Sequence, residues 1–266
     1  MVNFSKGKNP PKEKYVKSKL KSSKQTALDL ENLEKFVEYL VSLPGAHLIT
    51  ASQALKIYED KSKNREFTVE ELAELAETSG KSIIFRSVGE GVWLSAAEIF
   101  SLIIASLAEY SQKKQLPKAL RSNNPLGPKE KFPAQSAGSN VELNYLLEAC
   151  MSLSTRLSEP FFYLPASVKL RGEIELSIED FFATCCELYG SIARGKELRA
   201  RVPVVRGNFE VGKYVTDEGA RKDWAQTGTN PEGFSAPRQI ELARLQTWTL
   251  KPAIADLSKI AERNAS

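Results

Sequence analysis

The chain has 266 residues, 42% of them hydrophobic, enough for one large domain or two small ones with a real core. Its net charge of +4 is unevenly held: residues 1–24 contain eight Lys and one acid, a net of +7, so residues 25–266 carry −3. A body of that sign argues against a nucleic-acid-binding domain, and a Lys-rich, Pro-containing arm usually stays solvated. Three Cys, at positions 150, 185 and 186, form no disulfide framework and fit a reducing compartment. The N-terminus lacks the apolar run of a secretory signal, and the apolar stretch around Ser101–Leu107 is too short for a membrane span, so a cytoplasmic location is expected.

In chain order, residues 1–25 read as a disordered basic tail. A helix is predicted from about Ala27 to Ser42, with Leu30, Leu33, Val37 and Leu40 on one face and Pro44-Gly45 ending it. Ala46 to Ile49 reads as a short buried strand. Thr50 with Gln53 has the spacing of a capping box and starts a helix through about Tyr58. The polar run Glu59 to Glu66 is a loop. Thr68 with Glu71 opens a helix that stops at Gly80. Ser82 to Val88 and Val92 to Leu94 read as a hairpin around Gly89-Glu90-Gly91. The helix from Ala96 to about Lys113 is apolar on most of its surface and reads as central.

Residues 117–138 hold Pro117, Pro125, Gly127, Pro128, Pro133 and Gly138 and read as a linker. Beyond it a helix carries Leu143, Leu146, Leu147, Cys150 and Leu157, and a hairpin turns at Gly172. A second apolar helix runs from Ile178 to about Ala193. Short strands are predicted at Val202 to Val205 and Phe209 to Val215. A last helix begins near Pro237, carries Leu242, Leu245 and Trp248, and is interrupted at Pro252.

Two stretches nearly repeat one another. Leu94-Ser95-Ala96-Ala97-Glu98 and Leu176-Ser177-Ile178-Glu179-Asp180 each place Ser at a helix N-cap and an acid at the third helical position. Ser177 follows Ser95 by 82 residues, a spacing that suits two copies of one unit. The expected fold is therefore mainly α with short β-hairpins: two helix-hairpin-helix pseudo-repeats plus a C-terminal helix. The expected division is a tail (1–25), a first helical lobe (26–116), a linker (117–138) and a second helical lobe (139–266).

Little of this carries reaction chemistry. His47 is the one histidine and reads as a structural imidazole at a core edge. A pairing with Cys185 or Cys186 is formally a nucleophile and base, but both Cys fall in an apolar helix, where thiols act as small hydrophobes. The glycines at 89 and 91 lack the Lys-Ser/Thr of a phosphate loop. One His and no Cys cluster make a metal site unexpected, and no cofactor is expected. Trp93, Tyr163, Trp224, Phe234 and Trp248 are the aromatic residues that suit a platform for sugar rings, against core packing as the ordinary alternative.

Several segments carry a family resemblance. Phe36 to Ala51, with Leu-Pro-Gly-Ala-His-Leu-Ile-Thr at 43–50, is similar to the join at the end of the catalytic domain of archaeal and bacterial polysaccharide deacetylase-like proteins. Leu94 to Phe100 and Pro125-Leu126-Gly127-Pro128 resemble the region downstream, as do Gly233 to Pro237 and Leu242 to Ala253. Tyr163 to Leu170 with the helix through Phe182 also resembles the pseudomurein-binding repeats of archaeal surface proteins, in which a Leu-Pro hairpin lies between two apolar helices. The deacetylase site needs an Asp and two His, which this chain does not supply, so no catalytic residue carries over. The resemblance implies a non-catalytic accessory module associated with a polysaccharide, or with a separate deacetylase chain. The alternatives are a truncated or divergent carbohydrate hydrolase using His47 or buried carboxylates, and an interaction scaffold for a separate catalytic chain.

Overall fold

A computed structural model describes residues 20–89, 91–132, 140–172, 174–215 and 236–256. The chain divides into two compact units. The described part of the smaller is 20–59 and 254–256; that of the larger lies within 60–215 and 236–253.

In the smaller unit, α1 (Ser23–Ser42) begins earlier than predicted, because Ser22 is its N-cap and accepts from the Gln25 N–H at 3.2 Å. Lys24 and Gln25, expected in the tail, are helical; residues 1–19 lie outside the described residues. No residue of α1 is buried. Then α2 (Ala51–Ile57) starts on the expected capping box, with Gln53 N–H on Thr50 Oγ1 and Gln53 Oε1 accepting from Thr50 N–H. Residues 46–49 between them are not a buried strand. They are irregular, Leu48 and His47 are exposed, and no strand of the described residues pairs with them. His47 is thus a surface imidazole, not a core-edge one.

The larger unit runs β1 (Glu66–Thr68), α3 (Val69–Lys81), a hairpin of β2 (Arg86–Ser87) and β3 (Trp93–Leu94), α4 (Ala96–Lys113) and β4 (Ala119–Arg121). The order then recurs as β5 (Asn140–Glu142), α5 (Leu143–Ser154), a hairpin of β6 (Ser167–Lys169) and β7 (Glu175–Ser177), α6 (Ile178–Ala193) and β8 (Arg201–Pro203). Each outer pair is antiparallel over three residues: Glu66 to Thr68 meets Arg121 to Ala119, and Asn140 to Glu142 meets Pro203 to Arg201. A 3-10 turn (Val211–Val215), α7 (Ala236–Gln246) and a second 3-10 turn (Thr247–Thr249) follow. The strand expected over 209–215 shrinks to one bridge between Phe209 and Ile83.

Helices pair across the two halves: α3 lies on α6 and α4 on α5, while α4 also meets α6. A single buried cluster draws on every one of these helices. The division into lobes at 26–116 and 139–266 therefore differs from the structure, in which both halves share one core and α1 and α2 belong to the other unit. On α4, Ile99, Phe100, Leu102, Ile103, Ile104 and Leu107 are fully buried, each worth roughly 1.5–3 kcal/mol of transfer free energy. The helix is central because its neighbours cover it on several sides.

Gly80 does not end α3. It lies inside the helix, and a Cβ there would stand 3.3 Å from Cys186 Cβ, so its role is to let α3 approach α6 closely. Nor is 117–138 a linker where it is described. β4 pairs with β1, the Asn123 N–H donates to Ser101 Oγ of α4 at 3.0 Å, and Pro125, Gly127 and Pro128 are buried. Positions 133–139 lie outside the described residues. At Gly127 a Cβ would sit 2.1 Å from the Leu245 carbonyl oxygen at the end of α7.

This contact sets a test of the docked segment. Gly127→Ala should destabilise the larger unit by about 1–3 kcal/mol through overpacking, read as a lowered melting temperature. An unchanged melting temperature would show that the segment does not sit against α7.

Candidate functional site

An exposed aromatic cluster forms where the first hairpin meets the 3-10 turn at 211–215. β3 places Trp93 opposite Ser87, and the Phe85 ring stands 5.8 Å away, edge to face. Backbone bonds then bring in a distant segment. The Ile83 N–H donates to the Asn208 carbonyl at 2.8 Å, and the Ile83 carbonyl accepts from Glu210 and Val211. That stitch lies two residues before Phe85 and carries Tyr214 to 5.6 Å from its ring. Tyr214 is exposed, and Phe85 and Trp93 are half-buried. The 3-10 turn is seated from below: Phe209 stacks on Trp248 at 5.2 Å, and Gly212 leaves room for the Phe209 ring.

The segments that carry these rings also carry two charged side chains, Arg86 and Glu210, which interact with each other. Arg86 Nη2 donates to the carbonyls of Thr78 and Ser82, and burial pulls its guanidinium below the ordinary value. Glu210 lies close enough to Arg86 to oppose that, and hydrogen bonding from Ser82 holds its own carboxyl below the usual range. A half-open aromatic patch of this kind suits a ligand that presents an apolar face.

Two buried acids fix the elements that carry the cluster. Glu98 completes the capping box of α4: its N–H donates to Ser95 Oγ, and Glu98 Oε2 accepts from the Ser95 N–H at 2.7 Å. Lys251 then sets its ammonium 2.8 Å from Glu98 Oε1, 2.7 Å from Asp60 Oδ2 and 2.7 Å from Ser62 Oγ. Trp93 stands two residues before this cap, so the network sets its place. The second acid, Asp180 of α6, has the same helical position. Its N–H donates to Ser177 Oγ at 3.1 Å, and its carboxylate accepts from Arg206 Nη1 at 2.7 Å and from the Gly207 N–H at 2.8 Å. Both acids were legible as caps; their cationic partners, far away in sequence, were not.

The other candidate aromatics do not join Trp93. Trp248 is fully buried against Phe100, Phe182 and Phe209, so it is a core residue and no platform. Tyr163 lines a separate open cleft of about 770 Å³ with Leu126, Leu242 and Gln246, and Lys129 Nζ covers its ring face at 4.1 Å. Trp224 and Phe234 lie outside the described residues. Phe85 had a signal in the hairpin's alternation, two residues before Ser87. Tyr214 had none, because only the Ile83 stitch brings it near.

The thiols make poor nucleophiles. Cys150 and Cys185 face each other at 3.7 Å, fully buried, and burial pushes Cys185 and Cys186 well above the ordinary thiol value. Among the described residues no three His, Cys, Asp or Glu side chains are placed to hold a metal ion. Among them, too, no helix is long and apolar enough to cross a membrane.

The network at Asp60 has a pH signature. Burial opposes its ionisation, but hydrogen bonds from Lys251 and Ser62 outweigh that and hold the carboxyl below its ordinary 3.8. The folded state thus favours the charged form, so this stability is present above the unfolded value and is lost as pH falls through the folded one. Asp60→Asn should cost roughly 1 kcal/mol at pH 7, discounted for partial exposure, and the gap to wild type should shrink below about pH 4. Denaturant melts at pH 7 and pH 3 check this; a gap that persists at pH 3 would refute it.

No protein-family model, no curated protein and no solved structure matches the chain.

Proposed function

We propose that the chain is a non-catalytic module that holds a cell-wall or related polysaccharide, of the accessory type found beside polysaccharide deacetylases. The observation that carries this reading is the cluster of Phe85, Trp93 and Tyr214: three rings, partly open to solvent, gathered from two separate segments and backed by a rigid core. Sugar rings present C–H faces that stack on such surfaces. The single histidine supports a binding role over metal-assisted deacetylation, since activating a water that way takes a fixed metal with several protein ligands.

We also infer that the larger unit is an internal duplication. The recurrence of strand, helix, hairpin, helix and strand supports it, together with the crosswise pairing of α3 with α6 and α4 with α5. Exchange of the halves turns one helix pair into the other. The resemblance to repeats that hold pseudomurein is of the same kind, since there too a hairpin joins two apolar helices.

The test uses insoluble chitin and peptidoglycan. Purified protein should co-sediment with at least one of them and release no acetate. Trp93→Ala and Tyr214→Ala should each weaken binding roughly tenfold, equivalent to about 1.4 kcal/mol, while Tyr163→Ala leaves it unchanged. Absence of sedimentation would remove the binding reading. Metal-dependent acetate release that disappears with His47→Ala would replace it with an enzyme.

A further inference from the structure

The smaller unit holds a feature that the polysaccharide reading leaves unused. α1 is a 20-residue helix with no buried residue. In proteins most helical stability comes from packing an apolar face rather than from propensity. α1 has such a face. Leu30, Leu33, Val37 and Leu40 follow a 3-4-3 spacing, and Phe36 and Val41 widen the stripe. Leu30 is 61% exposed, Leu33 and Phe36 56% each, and Val41 58%. Singly exposed leucines are ordinary, but a continuous stripe of this kind marks an interface.

We propose that α1 is a self-association helix, whose occupant is α1 of a second copy of this chain. Spacing is the first argument: the 3-4-3 run is the seam of a two-helix coiled coil, in which side chains interlock with an identical partner. Area is the second. Six partly exposed side chains present on the order of 500–600 Å² per copy, so pairing removes about 1,000–1,200 Å², near the lower bound for a specific interface. Charge is the third. The polar side carries Asp29, Glu31, Glu34 and Glu38 against Lys24 and Lys35, which disfavours an anionic lipid surface as the cover. An isologous pair is also the commonest closed symmetry and leaves no open edge.

The experiment is sedimentation velocity on the full chain from about 1 to 100 µM, beside Leu33→Glu and Val37→Glu chains. Both positions are exposed, so neither substitution should disturb folding; near-ultraviolet circular dichroism and the melting temperature check that. Wild type should move to twice the chain mass within this range, and both variants should remain monomeric at 100 µM with unchanged spectra. A wild type that stays monomeric throughout would overturn the proposal, and so would a dimer that both variants retain. Polymer co-sedimentation of the monomeric variants is read separately, so loss of self-association and loss of binding are distinguishable.

Discussion

The ammonium of Lys251 against the carboxylate of Glu98 is the contact on which the larger unit depends. Glu98 is almost fully buried at the start of the central helix, where it completes the cap of α4. A carboxylate there is tolerable only with its charge balanced and its oxygens hydrogen-bonded. Lys251 supplies the charge, and Ser95 and Ser62 complete the bonding. The same lysine reaches Asp60, so one side chain ties the first residues of the unit, its central helix and its last segment together. Three residues earlier, Trp248 anchors that segment through apolar contact with Phe100 and Phe182. Polar and apolar anchors thus act on one short stretch.

The position of α4 decides what lies at the surface. Its capped end determines where β3 stops, and β3 carries Trp93. The far end of the cluster depends on the core in another way: Phe209 lies on Trp248, and the bonds of Ile83 to residues 208–211 swing Tyr214 towards Phe85. The cluster is therefore an outcome of long-range packing, presented by backbone that is bonded rather than loose. Asp180 with Arg206 and Gly207 plays the matching part at α6 and holds the segment that leads to Asn208.

Local signals in the sequence were read well where the physics is local. The capping boxes at Thr50, Thr68 and Ser95 are made as spaced, and α4 and α6 have the predicted bounds, because caps and apolar periodicity act over one or two turns. Readings failed where one residue type serves two purposes. Gly80 looked like a helix stop and is a close contact between helices; Gly127 and its prolines looked like a linker and are packed against α7. Trp248 looked like a possible platform and is core, since nothing in its neighbours tells which side of a helix end is covered. The apolar run at 46–49 misled for the converse reason: hydrophobicity calls for a partner, and no strand of the described residues pairs with it. Of the candidate site, Trp93 was legible; its companions Phe85 and Tyr214 required the fold.

The most direct measurement is a double-mutant cycle on Glu98 and Lys251, with Glu98→Gln, Lys251→Met and the double variant compared by denaturant unfolding at pH 7. Removing Lys251 alone leaves a buried carboxylate unpaired and should cost about 3–5 kcal/mol. The double variant should be less damaged than the two single effects combined, with a coupling of roughly 1–3 kcal/mol. Additive losses, or a Lys251→Met chain as stable as wild type, would contradict the dependence of the fold on this pair.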